Sequence, residues 1–109
     1  MAKLERTLHN DFTALLMQIE QGILNGSFSV SLEDSSDFRS GDARCSVRVF
    51  ERYSALGGNR VSLNVTLFQG GKGQPVHLSA ITSGGSQAVL FKVNTFGEKA
   101  FLDKLAELL

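Results

Sequence analysis

Three observations in the sequence predict an α+β fold of two layers: an antiparallel meander sheet of five to six strands, with an N-terminal and a C-terminal helix packed on one face. Apolar residues recur at helical spacing near both ends of the chain, first Phe12, Leu15, Leu16, Ile19 and Ile23, and last Phe101, Leu102, Leu105, Leu108 and Leu109. Between them, apolar and polar residues alternate with a period of two, the pattern of strands that bury one side. Gly-Gly pairs at 57–58, 70–71 and 84–85 punctuate this middle region at intervals that suit short hairpin turns. Two amphipathic helices need an apolar surface to cover and a meander supplies one, so both helices belong on the same side of the sheet. With 109 residues the chain is expected to form one domain, 1–109.

The elements follow in order. Lys3 to His9 places Leu4 and Leu8 on one side of an extended segment, although Arg6 falls in their phase. From Asp11 the period becomes helical; Asn10 or Asp11 can cap the free N–H groups, and Gly26 supplies a left-handed stop. Phe28, Val30 and Leu32 then alternate with serines. The segment Asp34 to Asp42 reads as a loop tied by Asx and Ser turns. Cys45, Val47 and Val49 form the expected inward phase of the next strand, leaving Arg44, Ser46, Arg48 and Phe50 outward. Val61, Leu63, Val65 and Leu67 give the cleanest strand, followed by Val76, Leu78 and Ala80. Gln87 to Asn94 fits a last strand through Val89, Phe91 and Val93, but its apolar Ala88 and Leu90 also suit the start of a helix. Thr95 and Glu98 fit a capping box ahead of the C-terminal helical stripe.

Composition excludes several classes of function and selects none. Hydrophobic residues make up 42% of the chain and charged ones 20%, which is enough apolar material for a core and excludes a wholly disordered chain. Lys plus Arg and Asp plus Glu both number 11, so the charge excess expected of a nucleic-acid or membrane-surface binder is absent. The expectation is no nucleic-acid partner and no membrane. One cysteine rules out an internal disulfide and, with two histidines, a thiolate zinc finger. The first residues, Met1 to Arg6, interleave charged and apolar side chains, unlike a signal peptide, and no apolar run approaches the roughly 20 residues that span a bilayer. A cytoplasmic setting is expected.

No catalytic constellation emerges. Cys45 with His9 or His77 is the one conceivable thiol–imidazole pair, but Cys45 shares the phase of Val47 and Val49 and reads as a core residue. Asp34, Asp37 and Asp42 suggest a calcium loop, yet Ser36, Phe38 and Arg39 stand where the loop needs side-chain ligands and glycine. Gly70-Gly71-Lys72-Gly73-Gln74 lacks the Ser or Thr and the helix start of a phosphate loop, and hairpin chemistry explains it. Ser83-Gly84-Gly85-Ser86, two glycines flanked by hydroxyls, could expose N–H groups to an anion, but a tight hairpin turn is the favoured reading. No metal and no cofactor is expected.

The outward side of the sheet carries more information. The alternation collects short hydroxyl side chains there together with Arg48, Phe50, Asn64 and Phe68, where an open face normally carries long charged residues. Small side chains permit close approach, and aromatic residues and Arg concentrate binding energy. These four residues are the candidate binding site. The leading expectation is a non-enzymatic module that self-associates as a homo-oligomer or binds a partner through this face. The alternative is a carrier of a small apolar ligand, with a cavity between the sheet and the last helix lined by Leu63, Val65, Phe91 and Phe101. Arg39, Arg44, Arg48, Arg52 and Arg60 could also make a base-stacking platform with Phe50 and Phe68, but neighbouring acids favour cross-strand ion pairs.

The runs Leu24-Asn25-Gly26-Ser27, Ser31-Leu32-Glu33-Asp34, Glu51-Arg52-Tyr53, Gly57-Gly58-Asn59-Arg60 and Ala80-Ile81-Thr82-Ser83-Gly84-Gly85-Ser86 resemble a family of small bacterial proteins defined by a domain of unknown function. The resemblance implies a single bacterial domain and assigns no residue a role. In element order alone, the chain is also similar to the helix-grip arrangement of START-like domains, in which a last helix crosses a curved sheet.

Overall fold

The structure, a computed structural model, describes residues 1–26, 29–53, 60–84 and 91–109. The elements are β1 (Ala2–Leu8), α1 (Phe12–Asn25), β2 (Ser31–Ser40), β3 (Ala43–Tyr53), β4 (Arg60–Gln69), β5 (Val76–Gly84) and α2 (Phe91–Glu107). The strands form one sheet in the order β1-β5-β4-β3-β2, and every neighbouring pair is antiparallel. Strands β2 to β5 form the meander, β1 adds to its β5 edge, and α1 carries the chain from one edge of the sheet to the other. The α+β class and the two-layer arrangement are those the sequence predicts.

Both helices bury their apolar stripes against the same side of the sheet. Phe12, Leu15, Leu16, Ile19 and Ile23 of α1 and Phe101, Leu102 and Leu105 of α2 share one core with Val61, Leu63, Val65 and Leu67 of β4 and Val76, Leu78 and Ala80 of β5. The Asp11 carboxylate accepts from the Ala14 N–H at 2.9 Å and so caps α1. Gly26 ends that helix in a right-handed conformation (φ −89°), not the left-handed one expected. The helices also meet each other, where the Gln18 side-chain amide donates to the Leu108 carbonyl.

The structure departs from the sequence expectation in three places. The segment from Asp34 is not a loop: β2 runs to Ser40, with a bulge between Leu32 and Asp34, and its register to β3 is continuous from Asp34 to Ser40. All ten of its residues are exposed, so burial imposed no alternation by which the strand could be recognised. Second, helix α2 already includes Phe91 to Asn94, which realises the helical alternative for those positions; residues 87–90 lie outside the described residues, as do Phe28 and Ser86. Thr95 therefore lies within the helix and not ahead of it, and Glu98 is a buried carboxylate 3.2 Å from the Met1 amine.

The third correction inverts β3. Antiparallel pairing puts directly opposite residues on one face, and β3 places Phe50 opposite Leu63, Arg48 opposite Val65 and Ser46 opposite Leu67. Phe50, Arg48 and Ser46 are consequently under the helices, at 0%, 7% and 2% exposure, while Cys45, Val47 and Val49 are half-buried on the opposite side. A phenylalanine ring fills the core better than a valine, and the arginine in its phase is neutralised by two acids, as described below.

The β2–β3 hairpin turns through Gly41 and Asp42, with Gly41 at φ +59° and no non-glycine residue at positive φ among the described residues. A positive angle at the first central position alone is the type II′ pattern, which matches the twist of the flanking strands. A Cβ at Gly41 would touch nothing within 4 Å, so the cost of Gly41→Ala is purely conformational. We expect a loss of about 1–2 kcal/mol in urea unfolding, and an unchanged midpoint would contradict this turn.

The open face of the sheet as candidate functional site

Among the described residues none covers the side of the sheet away from the helices, and the residues of that side fall into cross-strand rows. One row runs Thr7, His77, Phe68, Cys45, Phe38 from the β1 edge to the β2 edge. The next runs Glu5, Ser79, Thr66, Val47, Ser36, and the third runs Lys3, Ile81, Asn64, Val49, Asp34. Phe38, Phe68 and Ile81 are 59%, 45% and 43% exposed, and Val47, Val49 and Cys45 complete an apolar band that no described residue covers. Formal charges appear only towards the margins of these rows, at Lys3, Glu5 and Asp34. Short hydroxyls, with His77 and Asn64, fill the remainder, and in the next row Ser62 and Ser83 lie 3.3 Å apart across β4 and β5.

Of the four residues expected to form a site, the structure brings two to this face. Asn64 and Phe68 stand on the central strand with Thr66 between them. Arg48 and Phe50 do not belong: both point into the helix-covered side because of the β3 inversion. Phe38, Cys45, Val47 and Val49 take their place. Sequence reasoning missed them because β2 looked like a loop and because Val47 and Val49 carry the alternation normally diagnostic of a core.

Arg48 is instead the centre of a polar cluster beneath α1. Its Nε donates to Glu20 of α1, and its Nη1 and Nη2 reach the two Asp37 oxygens at 3.0 and 3.2 Å. Nη1 also donates to the Val47 carbonyl at 2.9 Å, and Ser46 Oγ donates to Asp37 at 2.6 Å. The Ser46 hydroxyl and the Arg48 guanidinium together hold the Asp37 carboxyl below its ordinary value. Three other arginines of the middle region are also engaged: Arg60 pairs with Glu51 at 2.8 Å, Arg44 lies 3.9 Å over the Phe12 ring and Arg52 lies 4.6 Å over the Phe101 ring.

Thiol chemistry finds no support in the geometry. Phe68 stands between Cys45 and His77 in the row, so the two are two strands apart, about 10 Å by strand spacing. Desolvation, and then the Asp37 carboxylate, push the Cys45 thiol up, away from the reactive thiolate. His77 Nδ1 is 3.3 Å from Thr7 Oγ1, and His9 lies elsewhere, at the β1–α1 junction. The residues expected to line a carrier cavity are themselves core: Leu63, Val65 and Phe101 are at most 1% exposed, and the Phe91 side chain lies outside the described residues. Among the described residues no cluster of His, Cys, Asp and Glu could hold a metal, and no helix is long and apolar enough to cross a membrane.

No curated protein and no solved structure, helix-grip domains included, matches the chain. A family model does, over residues 1–109. The chain therefore belongs to the family of unknown function DUF6054.

Proposed function

We propose that the protein is a non-enzymatic self-association module whose open sheet faces stack between two copies. The observation that carries this reading is the apolar band from Phe38 and Cys45 through Phe68, with Val47, Val49 and Ile81 beside it, on a face that no described residue covers. Apolar residues on both sides of β3 fit a strand that is buried on both sides once a second layer is added.

The rows favour one symmetry. A two-fold axis parallel to the strands sets β4 against its own copy, β5 against β3 and β1 against β2. Lys3 then meets Asp34 of the other copy, Ile81 meets Val49, and Phe68 meets itself. An axis across the strands would bring Glu5 against Glu5, a like-charge contact. Sheet twist displaces the outer rows by tens of degrees but leaves the central strand near the axis. Five strands of this length offer roughly 600 Å² per copy from strand dimensions, or about 1,200 Å² in total, the lower end of stable interfaces. Association by the strand edges is disfavoured: β2 carries a bulge and the charges Glu33, Asp34, Asp37 and Arg39, and β1 carries Lys3, Glu5 and Arg6.

Sedimentation of the full chain is expected to give twice the mass of 11.8 kDa. Phe68→Glu places two carboxylates on the axis and should raise the dissociation constant about 100-fold or more, with the far-ultraviolet circular dichroism unchanged. In a Cys45→Ser background, Phe68→Cys should form a disulfide-linked dimer under mild oxidation. A wild type that sediments as a monomer at every concentration would sink the reading, and a dimer that Phe68→Glu leaves intact would place the interface elsewhere.

A further inference from the structure

At one end of the sheet, away from the centre of the open face, three connections converge: the β1–α1 junction, the β2–β3 turn and the β4–β5 turn. They enclose an open cleft of about 540 Å³, lined by Arg39, Arg44, Lys72, His9, Asp11 and Asp42 among others. The turn Gly71 to Gln74, closed by a 3.1 Å bond from the Gln74 N–H to the Gly71 carbonyl, has Gly73 at φ +75° in its third position. That is a type II turn, and it presents Lys72 at the rim.

Three cations, Arg39, Arg44 and Lys72, outnumber the two carboxylates, Asp11 and Asp42, that line this cleft. Arg39 and Arg44 are directly opposite each other on β2 and β3, a like-charge pairing that costs stability in a sheet. Neither Arg39 nor Lys72 has an ion-pair partner among the described residues. Asp11 is committed to capping α1. Arg44 is held in place from below, stacked on the Phe12 ring and donating Nη1 to Thr13 Oγ1 at 3.1 Å, with the other N–H groups of its guanidinium left over.

We infer that this cleft binds the phosphoryl group of a small molecule. Two guanidinium forks and an ammonium from three separate elements match the several oxygens and the charge of roughly −1.5 to −2 of a phosphoryl group better than a single carboxylate. The volume lies within the range of about 300–1,000 Å³ typical of small-ligand sites. With a formal net charge of +0 the chain lacks the overall excess of positive charge that favours a long polyanion. The phosphoryl oxygens would sit between Arg39 and Arg44 and relieve their repulsion, with Lys72 closing from the rim.

Calorimetric titration of the full-length protein with inorganic pyrophosphate is the test. Wild type should bind with a dissociation constant of about 1 mM or tighter, and Arg39→Gln/Lys72→Gln should weaken binding about tenfold or more. The control Arg6→Gln/Lys104→Gln, with the same loss of charge outside the cleft, should bind like wild type. Without ligand, Arg39→Gln alone should melt no lower than wild type, because it removes the like-charge pair. The inference is overturned by wild type that does not bind, by a double variant that binds equally well, or by a control that loses as much. Tighter binding of an oligonucleotide or of anionic vesicles than of pyrophosphate, dependent on the same two residues, would overturn the small-molecule assignment. Sedimentation of the same samples separates this outcome from any change in self-association.

Discussion

Phe50→Ala should cost about 4 kcal/mol of stability, a fall of roughly 15–25 °C in melting temperature for a domain this size. The ring is 0% exposed, directly opposite Leu63 on β4, in the core that both helices share. Removing it forfeits the transfer of a large aromatic surface and leaves a cavity that close packing cannot readily collapse. The informative comparison is Phe68→Ala. Phe68 lies on β4 with 45% of its surface exposed, so its truncation should change the stability of the isolated chain by less than about 1 kcal/mol, while weakening association. Urea unfolding at protein concentrations below the association range measures the two variants on one scale. Equal losses at the two positions would mean that β3 does not have the phase described.

That pair of phenylalanines also marks where the sequence was legible and where it was not. Strands β1, β4 and β5 and both helical stripes could be read because each has one side under cover and one in water, so burial and alternation coincide. The stripe of α1 from Phe12 to Ile23 is buried at every position expected. Strand β3 broke the rule. Its valines face an uncovered side, and its covered side holds Ser46 and Arg48, whose polarity is offset by partners that come from Asp37, nine and eleven residues earlier, and from Glu20, twenty-eight residues earlier than Arg48. No local window contains those partners. Strand β2 was missed for a related reason: it is exposed on both sides, and its strand character comes from the ladder to β3, which is a property of the pairing and not of its own side chains. Half of the expected site fell with the β3 inversion. Asn64 and Phe68 remained because the phase of β4 was unambiguous.

Arg48→Ala is the second large effect expected, a loss of about 3 kcal/mol. The cost comes less from the contacts removed than from what is left: Glu20 and Asp37 would face each other across a site that still excludes water from the guanidinium position, where the Arg48 side chain is only 9% exposed. Glu20 and Asp37 are themselves 29% and 58% exposed, so they can partly rehydrate, which keeps the figure at the low end for a broken buried pair. Arg48→Met, which retains most of the volume, should therefore lose about half as much. A double-mutant cycle with Glu20→Gln isolates the Arg48–Glu20 coupling from the packing of the side-chain stem. Acid provides an independent check with a definite sign. The Asp37 carboxyl is depressed in the folded chain by Ser46 and then by Arg48, so its contribution is fully present above its ordinary value of 3.8 and disappears as the pH falls through the lower folded value. Wild type should lose stability in that window below pH 3.8, and Arg48→Ala, which removes one of the two hydrogen bonds, should show a shallower slope there. The slopes can be compared in urea titrations at fixed steps of pH. Identical slopes would mean that Ser46 alone sets the Asp37 carboxyl and that the guanidinium is held by Glu20.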